Sequence, residues 1–432
     1  MSIRQIVDES SLSPLQIVVI GVCFFLNMLD GMDVLAISFA APVIADEWGI
    51  SRSALGIAFS AALVGMALGA VVISPYTDRI GRRKMVLLST VVITLGMVAT
   101  ALAQSVTQLV VLRLVAGLGI GSMLASLTSM VSEYAPDRHR NFSILLLHSA
   151  YPVGSIFAGL VATQLLPKYG WRPLFLLAGT VSLVAIPLVF FLMPESLEFL
   201  ACRQPRNALE KVNAILAKMK LPALGSVPPQ PAHETRGAGV RALLAPGLGR
   251  STLRLWVAFM MSFATLYFLF SWVVKLAFES GLPMEDAMHA GISQNAGAFF
   301  GSLTLGYLST RIGLKRIISI FFVGAAVFTL LYGNVGGSLT LVLLLIFLLM
   351  YFVQGGFTGL YAVAARLYPT DIRTTGVGWA IGAGRVGAIL GPAVAGFILD
   401  AGVPINWTFA IFSVPMILAA VALAGVSGSS IH

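Results

Sequence analysis

Twelve apolar runs of about twenty residues or more, separated by charged and turn-forming clusters, dominate this chain. A bilayer core about 30 Å thick needs roughly 20 residues of helix to cross it, and these runs have that length. They cover residues 15–45, 53–77, 85–104, 107–132, 142–167 and 172–193, and after a long polar stretch 252–278, 285–309, 314–334, 338–364, 375–400 and 405–427. The first starts late and is interrupted by acids, unlike a cleaved signal peptide. Hydrophobic residues make up 58% of the chain and charged ones 10%, too little charge to cover a water-facing surface. The expectation is an all-α membrane protein with twelve transmembrane helices.

The net charge of +9 raises nucleic acid as a partner, but the placement of the basic residues points to membrane topology instead. With a cytoplasmic N-terminus, 21 of the 27 Lys and Arg residues fall in inner segments. The outer loops hold Arg52, Lys168 and Arg172, while Arg113, Lys275 and Arg385 fall inside apolar runs. The positive-inside rule then places both termini in the cytoplasm of a multi-pass protein of the inner (plasma) membrane. No nucleic acid partner is expected.

Residues 194–251 combine a basic helical stretch, Asn207 to Lys220, with the breaker-rich run Val227-Pro228-Pro229-Gln230-Pro231. This segment is expected to link an N-terminal six-helix bundle, 1–193, to a C-terminal one, 252–432. An internal repeat supports the division. The stretch from Ser74 to Arg83 after the second run returns as Gly306 to Lys315 after the eighth, an offset of 232 residues. A second echo, Ala135-Pro136 through Arg140 against Tyr368-Pro369 through Arg373, keeps an offset of 233.

The loop Asp78-Arg79-Ile80-Gly81-Arg82-Arg83, the repeated halves and the basic linker resemble the major facilitator superfamily over essentially the whole chain. That resemblance implies a major facilitator fold of two pseudo-symmetric bundles working by alternating access. Three stretches are similar to its aromatic acid:proton symporter family. They are Asp30-Gly31-Met32-Asp33, Tyr368-Pro369-Thr370-Asp371-Ile372-Arg373, and the glycine-rich segment from Gly376 through Trp379 and Arg385 to Gly391-Pro392. Import of an aromatic or related organic carboxylate together with protons is the implied activity, by a monomer without cofactor. The resemblance also implies that Asp78, Arg79, Gly81, Arg82, Arg83, Glu133 and Arg373 form an inner gating latch. In it the acid caps a helix of the other half and the basic groups pair with acids.

An ionised carboxylate inside a membrane helix is costly, so Asp30 and Asp33 should face water, a partner or each other. Their i,i+3 spacing puts them on one face. They are either proton carriers or polar glue at a helix break near Gly31. Arg385, among Gly382, Gly384 and Gly387, cannot lose its proton and has no acid nearby in its own run. It is expected to grip a substrate carboxylate through two parallel hydrogen bonds, or to pair with Asp30 or Asp33. Arg113 opens a small-residue seam through Gly117, Gly119 and Gly121, and either governs the proton on the two acids, as the resemblance implies, or snorkels to headgroups. Lys275, near an outer helix end, is expected to snorkel. Trp272, Tyr361, Trp379 and Phe268 are candidates for the substrate's apolar wall, with Gln354 and Asn295 as hydrogen-bonding partners. Each aromatic could equally serve packing or lipid contact.

Other classes fit less well. Five His, two Cys and scattered acids form no nucleophile–base set, metal cluster or phosphate loop, so no enzyme and no metal is expected. A sensor on this scaffold would add a sizeable soluble domain, and only a few residues follow the twelfth run. A proton-exchanging exporter of drugs or cations is the main rival. Ala150-Tyr151-Pro152-Val153-Gly154-Ser155 stands where the superfamily's antiporters tend to carry Gly-Pro-x-x-Gly-Gly.

Overall fold

The computed structural model of the protein describes residues 3–226, 240–335, 338–368 and 372–426, and among these residues all regular structure is helical. Twelve long helices follow in order. They are α1 (Pro14–Trp48), α2 (Arg52–Ile80), α3 (Arg82–Ala101), α4 (Val106–Tyr134), α5 (Asp137–Tyr169) and α6 (Arg172–Leu192). Then come α7 (Gly249–Glu279), α8 (Met284–Ile312), α9 (Leu314–Gly333), α10 (Leu339–Leu367), α11 (Arg373–Asp400) and α12 (Ile405–Ala424). Among the described residues, eleven of them are long and apolar enough to cross a membrane. The exception, α8, is 29 residues long, and its polar middle, Ser293, Gln294 and Asn295, dilutes its hydropathy. The protein is a multi-pass membrane protein.

Short helices decorate this frame. Ile3–Asp8 precedes α1, and Leu197–Arg203 and Ala208–Lys218 follow α6. The last of these, Ala208–Lys218, lies within the basic stretch expected to be helical. The Pro-rich run 227–231 lies outside the described residues.

Local sequence explains two features of the helices that carry charge. In α2, Pro75 has no N–H to donate and its ring crowds the preceding turn, and the helix widens to a π turn at Gly69–Ile73 and then tightens at Ser74–Tyr76. In α1 the helix is unbroken, so Gly31 marks no break. A Cβ at Gly31 would lie 2.0 Å from the Tyr151 carbonyl oxygen, and one at Gly154 would lie 1.7 Å from that of Met28. The two glycines let α1 and α5 cross backbone to backbone. The seam on α4 behaves likewise, since a Cβ on Gly121 would sit 2.0 Å from the Met66 carbonyl of α2.

The chain divides into two compact units. One comprises Met1–Val34, Val64–Gly154 and Arg172–His233, and the other Leu35–Leu63, Ser155–Trp171 and Glu234–His432. Linear order alone does not produce this division. Segments 35–63 and 155–171, assigned by sequence to the first bundle, pack within the unit that holds α7 to α12. Hydrogen bonds tie the first of these segments there: Ser38 Oγ donates to the Ser271 carbonyl at 3.0 Å and Ser60 Oγ to that of Ile389 at 2.7 Å.

Candidate functional site

Charge inside a membrane helix is the strongest pointer to function, and the first unit gathers three such groups. Asp30 is 3% exposed and Asp33 fully buried, one turn apart on α1. Neither carboxylate oxygen of Asp33 has a hydrogen-bond partner among the described residues. The charged groups that act on it are Arg113 and Asp30. Arg113, 1% exposed on α4, donates from Nη1 to the backbone carbonyl of Asp33 at 3.3 Å and from Nη2 to Thr100 Oγ1 at 2.9 Å. Its guanidinium also lies over the Phe175 ring, 5.1 Å from the centroid. The side chain therefore points into the helix bundle and does not snorkel: α1, α3 and α6 hold it in place.

At the end of the same unit, the α2–α3 loop meets the start of the linker. Gly81 has φ 100°, which a side chain would strain, and the Glu195 carboxylate lies 2.4 Å from where its Cβ would be. Arg82 pairs with Glu133 at 3.0 Å and with Glu198 at 3.4 Å, and donates to Ser196 Oγ at 2.7 Å. Ser196 in turn donates to Glu133 at 2.5 Å and caps the helix Leu197–Arg203. Arg83 offers its backbone N–H to Glu195 at 3.0 Å and its guanidinium to the Phe190 carbonyl. Arg79 lies over the Tyr76 ring. Asp78 has an exposed side chain, and its backbone carbonyl accepts from Arg203 at 2.8 Å. The side chain of Arg373 lies outside the described residues. The Arg82–Glu133 pair matches the expected loop-to-acid contact, while the Ser196 and Glu195 contacts from the linker had no signature in the sequence.

In the second unit Arg385 sits on α11 with its guanidinium 5.8 Å from the Phe263 ring centroid. Rings surround that position. Phe263 meets Phe357 at 4.5 Å, Phe357 meets Tyr361 at 5.3 Å, and Tyr361 meets Phe259 at 5.4 Å, all edge to face. Tyr361 also feels the charge of Arg385. Gln354 lies one turn before Phe357 on α10, and its Oε1 has no hydrogen-bond partner among the described residues. A cation over one ring face, beside a cluster of further rings, favours an anionic, flat, apolar ligand.

The remaining wall candidates lie elsewhere in this unit. Trp272 is buried edge-on to Phe59 at 5.4 Å and donates to the Pro392 carbonyl at 3.0 Å. Phe268 stacks on Phe412 at 4.0 Å. Trp379, 47% exposed, stacks on Trp256 at 5.8 Å. Asn295 is fully buried and donates to the Gly291 carbonyl at 2.8 Å, while its Oδ1 has no partner among the described residues. Phe263, Phe357 and Phe259 were not singled out by sequence, because nothing distinguishes them among 26 phenylalanines.

Lys275 also departs from expectation. It is 5% exposed and pairs with Glu279 at 3.4 Å and Asp46 at 3.7 Å instead of reaching outward. Glu279 pairs with Arg52 at 3.0 Å. These residues and Asp400 line a cavity of about 290 Å³.

The model of the Major Facilitator Superfamily matches residues 23–301 and again 255–428. The chain belongs to this superfamily. Among relatives, it is 33% identical to the 4-hydroxybenzoate transporter PcaK of Pseudomonas aeruginosa, over 95% of this chain and 91% of that protein. It is 31% identical to a gallate transporter of Pseudomonas putida, over 98% and 94%. With the benzoate transport protein of Acinetobacter baylyi it shares 30% identity, over 97% and 91%. The fold matches that of a D-xylose–proton symporter with a TM-score of 0.76 at 16% identity, covering 96% of this chain and 98% of that one.

Proposed function

We propose that the protein is a secondary active transporter that imports an aromatic carboxylate together with protons. The guanidinium of Arg385, set over Phe263, which packs on Phe357 and through it on Tyr361 and Phe259, carries this reading. The carboxylate of the substrate pairs with Arg385, and the ring lies against the aromatic side chains, with Gln354 beside them. Relatives named as 4-hydroxybenzoate, gallate and benzoate transporters support the same substrate class.

Asp30 and Asp33 carry the protons, and Arg113, held to the Asp33 backbone, governs their release. A buried carboxyl near both an acid and a guanidinium changes its charge when either moves, which links proton transfer to helix movement. The transporter lies in the inner membrane with both termini in the cytoplasm and works by alternating access. The loop Asp78 to Arg83, with Glu133 and Arg373, gates the inner side. Lys275, Arg52, Glu279 and Asp400 then mark the outer side.

Uptake of labelled benzoate by the reconstituted protein under an imposed pH gradient tests this reading. Accumulation in wild type, with counterflow but no accumulation in Asp33→Asn or Asp30→Asn, is the expected result. Normal accumulation by both variants removes the two acids from coupling, and no aryl acid transport by wild type removes the substrate class.

A further inference from the structure

Two carboxamides are neighbours in the polar middle of α8. Gln294 is 1% exposed and Asn295 fully buried, and the carbonyl oxygen of each, Oε1 and Oδ1, has no hydrogen-bond partner among the described residues. An unmet buried acceptor is unfavourable, and two adjacent ones call for a donor that comes and goes.

Their depth is set by the turn that joins α7 to α8. A Cβ on Gly291 would touch Val274 of α7 at 2.8 Å. The two helices run antiparallel, so Asn295, one turn beyond Gly291, is level with Phe270. From there a stripe of rings descends one face of α7: Phe270 meets Tyr267 at 6.1 Å, and Tyr267 stacks on Phe263 at 5.7 Å. Phe263 is the ring under Arg385. Seven residues of helix separate Phe263 from Phe270, roughly 10 Å along the axis. One benzene ring with para substituents, plus a hydrogen bond of about 3 Å at each end, fills that span.

We propose that Gln294 and Asn295 are the specificity-determining end of the substrate site and share, in one three-centre hydrogen bond, the single hydrogen of a ring hydroxyl of the aryl carboxylate. The proposal rests on the assignment of Arg385 to the carboxylate and deepens it by naming the residues that tell a hydroxylated ring from a bare one. The mechanism of choice is the orphaned acceptor. A hydroxylated ring satisfies it, and an unsubstituted ring leaves it buried and unmet.

Binding of 4-hydroxybenzoate and of benzoate to the purified full chain, measured by isothermal titration, tests the proposal. Wild type is expected to prefer the hydroxylated acid by about tenfold. In Gln294→Met and Asn295→Leu the preference falls to within about twofold while benzoate affinity is kept, which also reports correct folding. Because Asn295→Leu loses the bond to the Gly291 carbonyl, Gln294→Met alone suffices where the other variant does not fold. Equal affinity of wild type for the two acids, or an unchanged preference in folded variants, overturns the proposal and leaves the role of Arg385 standing. No binding of either acid by wild type overturns the Arg385 assignment itself, and this one with it.

Discussion

The Asp400 carboxylate at the end of α11 accepts the backbone N–H of Arg52, the first residue of α2, at 2.9 Å, and that of Ser53 at 2.8 Å. The first N–H groups of a helix have no partner within it, and an anion there meets both the free donors and the helix dipole. One helix end thus caps the start of another. The same helix start carries the Arg52–Glu279 pair, but Arg52 is 42% exposed, where an ion pair contributes little. Asp400→Ala is therefore expected to weaken the junction by about 1 kcal/mol. A cysteine placed at Leu55, on the cavity wall, should react with a charged maleimide about fivefold faster in that background. Arg52→Ala should change the rate by less than Asp400→Ala does. Equal effects of the two would show that the ion pair, not the cap, holds the junction.

A buried pair behaves differently. Arg82 and Glu133 are 14% and 7% exposed in their side chains, and Ser196 ties both to the linker. Removing one partner leaves a charge with poor solvation, a loss of about 3–5 kcal/mol. Glu133→Ala and Arg82→Ala should each lower the unfolding temperature in detergent markedly. The double variant should lose clearly less than the two losses combined, because the second removal deletes a charge already stranded. Strict additivity, measured over the full cycle, would mean that the two side chains act independently.

Arg113 combines both themes. Its Nη1 and Nη2 reach different helices, Asp33 of α1 and Thr100 of α3. A lysine offers one compact ammonium where the planar guanidinium spans two acceptors. Arg113→Lys should lose the bond to one of them, destabilising the fold by about 1.5–3 kcal/mol. Proton-driven uptake should drop further than benzoate counterflow, which needs no net proton movement. A parallel fall in both rates would place Arg113 in folding alone.

Much of this arrangement was legible because a membrane makes charge conspicuous. Asp30, Asp33, Arg113 and Arg385 stand out in apolar runs, and the resemblance of the loop Asp78 to Arg83 to the superfamily's inner latch pointed to the Arg82–Glu133 contact. The aromatic wall was not legible. Phe268 and Trp272 share a face of α7 at i,i+4, but that face meets Phe412 and Phe59. The rings near Arg385 lie on the face of Phe263, Tyr267 and Phe270. Phe263 and Phe268 are five residues apart, roughly 140° around the helix axis. In a soluble helix polar residues would mark the outward face. In α7 lipid and protein both favour apolar residues, so periodicity does not say which stripe faces inward. Lys275 escaped for a related reason: only the fold brings Asp46 within 3.7 Å of it.

The Arg385 site gives the sharpest test of substrate class. Its guanidinium offers two parallel donors to a carboxylate, and Phe263 packs against Gly384, whose Cβ would lie 2.3 Å from that ring. Arg385→Lys keeps the charge but not the two-pronged geometry, so benzoate affinity should fall about tenfold, and in Arg385→Ala by a hundredfold or more, about 2.7 kcal/mol. Gly384→Ala keeps the charge and displaces the ring, and should weaken aryl acids more than an aliphatic carboxylate of similar size. Thermal-shift titrations of the three variants against benzoate and cyclohexanecarboxylate separate these effects. Equal losses for both acids in Gly384→Ala would assign the Phe263 ring to packing, and unchanged affinity in Arg385→Ala would move the carboxylate to another cation.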